Sequence, residues 1–223
     1  MVKTKIKATV PVAMTMLAAF FLGIFRADAA TPEQGFWTWF QKNDAALFDF
    51  EHDQGRVFDR LAKEMHKINP NLTFEFGPKK DGQREFVISA DGIKTAFPAV
   101  EALYATAPPL PHWKVIRFRP RREPADISYN NVSVKASSVR VHMEINGRIA
   151  DLTVFIPGYT AENRDSYTAI NYLLLDQALG EFDVETYVGQ IRVESSPGIG
   201  QKTYSLAELP AAFDSLIKAR HLQ

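Results

Sequence analysis

Apolar residues recur along the chain with two periods, and the switch between them outlines the domain. Thr31-Pro32-Glu33 reads as an N-cap followed by proline at the first helical position. Phe36, Trp37, Phe40, Leu47 and Phe48 then fall at helical spacings. Beyond Gly55, the positions Val57, Phe58, Leu61, Ala62, Met65 and Ile68 repeat the three-and-four pattern up to Pro70. The aromatic group Phe36, Trp37, Trp39 and Phe40 reads as core packing. Two amphipathic helices are therefore predicted first, with Glu51-His52-Asp53 as capping chemistry for the second.

From Leu72 the period becomes two. Leu72, Phe74 and Phe76 alternate with Thr73 and Glu75, Lys79-Lys80-Asp81-Gly82 supplies a turn, and Arg84 to Ala90 alternates again. A helix near Thr95 to Ala107 and a strand from Trp113 to Arg119 follow. The second half repeats this order. It has a strand over Val139 to Ile145, a turn at Asn146-Gly147 and a strand over Arg148 to Ile156. A helix over Glu162 to Ala178 and a strand over Asp183 to Glu194 come next. A last helix is predicted over Leu209 to Ala219.

Both halves read strand, turn, strand, helix, strand, so residues 72–119 and 139–193 form a candidate internal repeat. Arg121 to Ser137, polar and carrying Pro124, Asn130 and Asn131, reads as a long surface loop. The expected fold class is α+β: one mixed, mostly antiparallel sheet with helices on one face, a duplicated ββαβ unit preceded by two helices.

The first 29 residues do not belong to that pattern. Lys3, Lys5 and Lys7 precede an apolar run from Ala8 to Phe25, and Ala27-Asp28-Ala29 matches a signal-peptidase site. A secretory signal peptide over 1–29 and a single globular domain over 30–223 are expected, with a periplasmic or secreted location. A retained membrane anchor is the rival reading, which Pro11, Thr15 and Gly23 weaken. The membrane is then met only transiently, through the signal peptide.

The whole chain has 223 residues, 26 basic and 26 acidic side chains, and no cysteine. Residues 1–29 hold four basic side chains and one acidic, so the remainder carries 22 basic and 25 acidic residues. No basic field points to nucleic acid. The absence of cysteine removes disulfides, thiol nucleophiles and lipid attachment at cysteine.

Several segments are similar to those of a family of uncharacterised bacterial proteins. They are Phe36-Trp37-Thr38-Trp39-Phe40, Leu72 to Gly77, Arg84-Glu85-Phe86-Val87-Ile88-Ser89-Ala90, and Trp113 to Arg122 with Phe118-Arg119-Pro120-Arg121. The likeness covers about Phe36 to Arg122. It implies a bacterial source and a small α+β domain, and it brings no activity and no catalytic residue.

Strand parity nominates the candidate site. Phe86 and Ile88 oppose Glu85, Val87 and Ser89, and Ile116 and Phe118 oppose Arg117, Arg119 and Arg121. One sheet face then gathers Glu75, Glu85, Ser89, Arg117, Arg119 and Arg121. That set reads as a cross-strand ion-pair ladder, an anion site or a carboxylate pair for acid–base work. Two acids against three arginines predict uncompensated positive charge near Arg121 and Arg122.

His142 and Glu144 share a strand face with Arg140. Asp151, Thr153, Glu185 and Tyr187 are candidates for the same face, and no third metal ligand is fixed by spacing. No nucleophile elbow, phosphate loop, dinucleotide fingerprint or zinc-protease motif occurs, and no cofactor is expected. The leading expectation is an exported, non-catalytic module that binds a protein or an anionic ligand in the cell envelope. The alternative is a hydrolase or lyase of an envelope polymer, using Glu75 or Glu85 with nearby arginines.

Overall fold

The computed structural model describes residues 29–218. The chain divides into two units, Met1–Ala30 and Thr31–Gln223, and every element below belongs to the second. The expected signal peptide lies, but for Ala29, outside the described residues. Among the described residues no helix is long and apolar enough to cross a membrane.

Thr31 caps α1 (Pro32–Lys42) in a capping box: its hydroxyl accepts from the Gln34 amide while the Gln34 side chain accepts from the Thr31 amide. Phe36, Trp37 and Phe40 are buried, as their spacing requires, whereas Trp39 is half-buried under Arg60. The expected pair of helices is broken more finely. After α1 come α2 (Asp44–Phe48), a 3-10 turn at Phe50–His52, and α3 (Gln54–His66), which contains Gly55. Asp53 makes no side-chain cap, and Glu51 instead takes the guanidinium of Arg84.

Strand β1 (Thr73–Phe76) pairs antiparallel with β2 (Arg84–Ser89). Asp81 and Gly82 turn the hairpin in the left-handed region, where an Asp-Gly pair is suited. Helix α4 (Phe97–Ala105) carries the chain to β3 (Trp113–Arg117), which runs parallel to β2. Buried rings of α1 lie on this sheet: Phe40 stacks on Phe86 at 5.0 Å and meets Trp113 edge-on at 5.1 Å.

The stretch expected to be a loop folds into a hairpin, β4 (Ile127–Tyr129) with β5 (Val132–Val134). Three-residue strands are too short to declare a period, yet Ile127, Val132 and Val134 join the second core. Strands β6 (Arg140–Asn146) and β7 (Ile149–Phe155) form the next hairpin. Asn146 pairs with Ile149, so the two turn residues are Gly147 and Arg148, one place later than expected.

Helix α5 (Arg164–Leu179) follows, then α6 (Glu181–Tyr187) and β8 (Val188–Glu194), parallel to β7. The expected strand over 183–194 therefore loses its first five residues to a helix, and Glu185 and Tyr187 leave the strand face assigned to them. Strand β9 (Tyr204–Ser205) pairs with β6. Helix α7 (Leu209–Phe213), continued by a π-helical turn at Asp214–Lys218, completes the described chain.

The fold is α+β, and both halves trace the same ββαβ path. The strand orders are β1-β2-β3 and β8-β7-β6-β9, with antiparallel hairpins and one parallel crossover in each. The expectation of a single sheet is corrected: among the described residues there are three sheets, the β4–β5 hairpin and these two, each of which has its own core. The separation begins at Phe118, whose φ of 59° turns the chain away from the strand direction just after β3.

Candidate functional site

Phe118 also decides which face each arginine reaches. The register sets Arg117 opposite Ile88, on the core side of the sheet, while Ile116 lies opposite Val87. Arg117 accordingly bridges to Glu101 of α4 at 2.6 Å and lies over the Tyr104 ring. This corrects the expectation that Arg117 shares a face with Glu75. The strand ends there, and the left-handed Phe118 resets the alternation. Its ring is buried between Phe97 and Phe182, and its amide donates to the Ile88 carbonyl.

Arg119, beyond the kink, does reach Glu75. Its Nε donates to Glu75 Oε1 at 2.6 Å. Its other nitrogens meet Asp91 at 2.9 Å and Asp176 at 3.5 Å. Only 16% of the side chain is exposed. Burial pulls the Arg119 pKa down, but the hydrogen bonds and charges of Glu75 and Asp91 prevail and raise it above its ordinary value.

The next two arginines part: Arg121 turns to the second half and Arg122 back to β2. Arg121 donates to the Leu179 carbonyl, to Asp183 and, through two nitrogens, to Asp214. Arg122 donates to Glu85 at 2.7 Å, and Lys114 holds the same carboxylate at 3.1 Å. The hydrogen bond from Arg122 keeps the Glu85 carboxyl below its usual range, with Lys114 helping and burial opposing. The expected positive excess near Arg121 is corrected: Asp183 and Asp214, from elements that strand parity leaves out of view, compensate it. Ser89 is fully buried, and its hydroxyl accepts from the Asp91 amide, so it shapes a turn and faces no ligand.

That turn matters because it ends β2 beside the end of β3. Asp91 and Gly92 are both left-handed, with φ of 50° and 76°. A Cβ on Gly92 would stand 3.0 Å from Glu185, so a glycine answers both the dihedral and the close approach. The buried Glu181 ties the turn down: its carboxylate accepts from the amides of Ala90, Gly92 and Arg119 at 2.9, 3.2 and 3.0 Å. Its own amide donates to the Arg119 carbonyl. Gly180, with φ of 82°, lets this strap pass, since a Cβ there would meet the Arg119 carbonyl at 3.3 Å.

The result is an open crevice of about 480 Å³ between the halves, walled by Asp91, Arg119, Tyr172, Leu173, Asp176 and Glu185. It lies at the carboxyl ends of two parallel strands, where loops leave a sheet and ligands commonly sit. A smaller cavity of about 130 Å³ shares Arg119, Leu173 and Asp176 with it and reaches Glu75 and Arg122. Burial pushes the Asp176 carboxyl up to about 7. Arg119 opposes that shift, and the charges of Glu181, Glu185 and Asp91 reinforce it. Asp176 is the most distant of the three carboxylates on Arg119, whose nearer partners already satisfy the guanidinium. Glu185 is raised as well, mainly by burial, against the pull of Lys94.

Of the six nominated residues, the crevice region unites Glu75 with Arg119. Glu85 lies farther along β2, Arg117 faces the helices, Arg121 braces the second half, and Ser89 is buried. Asp91, Asp176 and Glu181 were missed, and Glu185 was assigned to another face. One available signal was Asp176, an acid set among Ile170, Leu173, Leu174, Leu175 and Leu179.

His142 Nδ1 donates to the Lys202 carbonyl at 2.8 Å, and its Nε2 lies 3.3 Å from Glu144 Oε1. Among the described residues no group of three or more histidine, cysteine or acidic side chains is set to hold a metal. In comparisons with known proteins, no family model, no curated protein and no solved structure matches this chain.

Proposed function

We propose that this is an exported, non-catalytic binding module of the bacterial cell envelope that takes its ligand into the crevice between the two halves. One observation carries the reading. Arg119 is committed to three internal carboxylates, so the charge left facing the 480 Å³ crevice is acidic, and Tyr172 and Leu173 stand beside it 45% and 39% exposed. That combination suits a ligand with a cationic group next to an apolar body.

The test is calorimetric titration with alkylammonium ions of increasing chain length. Binding that strengthens with chain length, weakens with salt and falls about tenfold in Tyr172→Ala supports the reading. No heat from any member of the series, or an unchanged response in Tyr172→Ala, overturns it. Export is tested separately, and the lysine-rich start, the apolar run and Ala27-Asp28-Ala29 support it. N-terminal sequencing of the periplasmic or secreted form is expected to begin at Ala30. Retention of residues 1–29 in a membrane fraction opposes it.

A second reading, acid–base cleavage of an envelope polymer, is favoured by Asp176, a buried carboxyl pushed up to about 7, so that both protonation states occur near neutrality beside an open crevice. Under this reading Asp176 replaces Glu75 and Glu85, because Glu75 is tied to Arg119 and Glu85 is held ionised by Arg122 and Lys114. Release of soluble fragments from purified cell-wall polymer, lost in Asp176→Asn, is the outcome it requires.

A further inference from the structure

At the opposite end of β2 from the crevice lies a second open cavity, of about 440 Å³, and its chemistry is different. Lys80, Arg84, Lys114 and Arg122 line it with Glu85 and Asp81. None of Lys80, Lys114 and Arg122 lines the crevice, and Arg122 also borders the smaller cavity of about 130 Å³. The basic cavity therefore does not rest on the crevice reading.

The four cations are not equally available. Arg84 is 3% exposed with every nitrogen engaged, donating to the Phe48 and Gly77 carbonyls and to Glu51. Lys114 and Arg122 keep 66% and 45% of their side chains exposed, and each gives one nitrogen to Glu85. An ammonium has three donors and a guanidinium five, so most of their N–H groups remain for another acceptor. Lys80 is exposed beside them at the hairpin turn, held by its backbone pairing with Gln83.

The geometry points to an oxyanion site here: a phosphate group bridged by Lys80, Lys114 and Arg122, with Glu85 as the internal carboxylate that it displaces or shares. The occupied state of Glu85 already shows how an acid is held between two cations. A ligand carboxylate would exchange with it like for like. A phosphate carries more charge and three terminal oxygens, so it can engage all three cations at once. Asp81 and Glu85 act against binding, which limits affinity and makes it steeply dependent on ionic strength.

The proposal is tested on the full-length mature protein by amide chemical-shift titration at low salt. The probes are inorganic phosphate and glycerol phosphate, with acetate as the control. Phosphate is expected to shift amides at residues 79–85, 114 and 122 while acetate leaves them in place. Lys114→Ala and Arg122→Ala are each expected to weaken phosphate binding about tenfold, the effect of one lost charged hydrogen bond. Glu85→Gln is expected to tighten it several-fold, a gain that no folding defect can imitate.

Tighter binding of glycerol phosphate assigns the source to a phosphorylated ligand, and equal binding assigns it to free phosphate; both support the site. Absence of shifts at millimolar phosphate overturns it. So do shifts that map to Arg119 instead, and so does a Glu85→Gln variant that binds more weakly.

Discussion

The first half packs rings where the second packs branched aliphatic chains. Phe36, Trp37, Phe40, Phe86 and Trp113 meet in edge-on and stacked pairs on the β1-β2-β3 sheet. On the β8-β7-β6-β9 sheet the same layer holds Val141, Leu152, Val154, Ile170 and Leu174. The path of the chain is shared while the filling is not. A ββαβ path is thus set by hairpin turns and strand period, and the core has only to match the space in volume. Polarity separates the halves too. The indoles of Trp37 and Trp113 have their N–H groups satisfied by the Leu103 carbonyl and by Asp44, whereas the buried Asn171 of the second half has no partner among the described residues.

Where the halves meet, charge takes over from both kinds of core, and the largest effects are expected there. Glu181 is fully buried and accepts from three backbone amides of the first half. Glu181→Ala leaves those donors unsatisfied and is expected to cost about 3–5 kcal/mol, with Glu181→Gln costing less because one carbonyl oxygen survives. Urea denaturation followed by Trp fluorescence, which reports only the first half, and by circular dichroism gives the comparison directly. If Glu181 joins the halves into one cooperative unit, the two probes coincide in the wild type and separate in the alanine variant. A loss below about 1 kcal/mol would mean that the halves do not lean on this strap.

Arg119→Ala comes next. It removes the counter-charge of the mostly buried Asp176, while Glu75 and Asp91 keep 45% and 68% of their side chains in solvent, and a loss of about 2–3 kcal/mol is expected. Arg117→Ala is the internal control. It removes the same side chain two positions earlier, but its ion pair with Glu101 is exposed at both ends, so the cost stays within about 1 kcal/mol. Equal costs for the two variants would refute the face assignment that Phe118 imposes.

Asp176 sharpens the contrast between junction and cores through pH. Its folded carboxyl titrates at about 7, against an ordinary value of 3.8, so the folded chain holds a proton that the unfolded chain releases. A raised acid contributes stability that is full below the ordinary value and is lost as pH rises through the folded value. Stability attributable to this group is therefore expected to fall between pH 4 and pH 7. Asp176→Asn removes that slope and raises stability at pH 8 by about 1–3 kcal/mol. A wild-type and variant pair with parallel pH profiles would show that Arg119 keeps Asp176 ionised.

These junction residues were also the least legible from the sequence. Thr31-Pro32, Asp81-Gly82 and the alternation from Leu72 to Phe76 are local signals, and local signals located the elements of both halves. The partition into two sheets and the face of Arg117 depend on one dihedral at Phe118, for which neighbouring residues offer no warning. Residues 183–187 alternate like a strand, yet Gly180 breaks α5 and restarts the chain as α6, which is what brings Glu181 and Asp183 to Arg119 and Arg121 and Glu185 to the crevice wall. Parity put Glu75 with Arg119, but the pair forms because Phe118 resets the alternation that sends Arg117 to the other face. It could not supply Asp91, Asp176 and Asp214, because those acids arrive from a turn and from helices of the other half.

The smallest effect expected concerns the polar group that the second core leaves without a partner. Asn171 is 1% exposed on the buried face of α5, among Tyr167, Ile170, Leu174 and Leu175, and neither its amide nitrogen nor its oxygen has a hydrogen-bond partner. Desolvating an unpaired amide opposes folding, and removing both its donor and its acceptor relieves that opposition. Leucine branches at the same carbon and comes close to the amide in shape, so Asn171→Leu needs little repacking. It is expected to stabilise the chain by about 1 kcal/mol, which for a domain of this size raises the melting temperature by about 2–4 °C. Trp37→Phe is the matched change in the first half. It removes a satisfied N–H and leaves the Leu103 carbonyl with only the Thr106 hydroxyl, so it is expected to destabilise by about 1 kcal/mol. Opposite signs for these two substitutions, read by calorimetry, express the difference between a core whose polar groups are answered and one with a group that is not. A destabilised Asn171→Leu would overturn the contrast, since it would mean that the amide is held by an ordered water and belongs to the packing of α5.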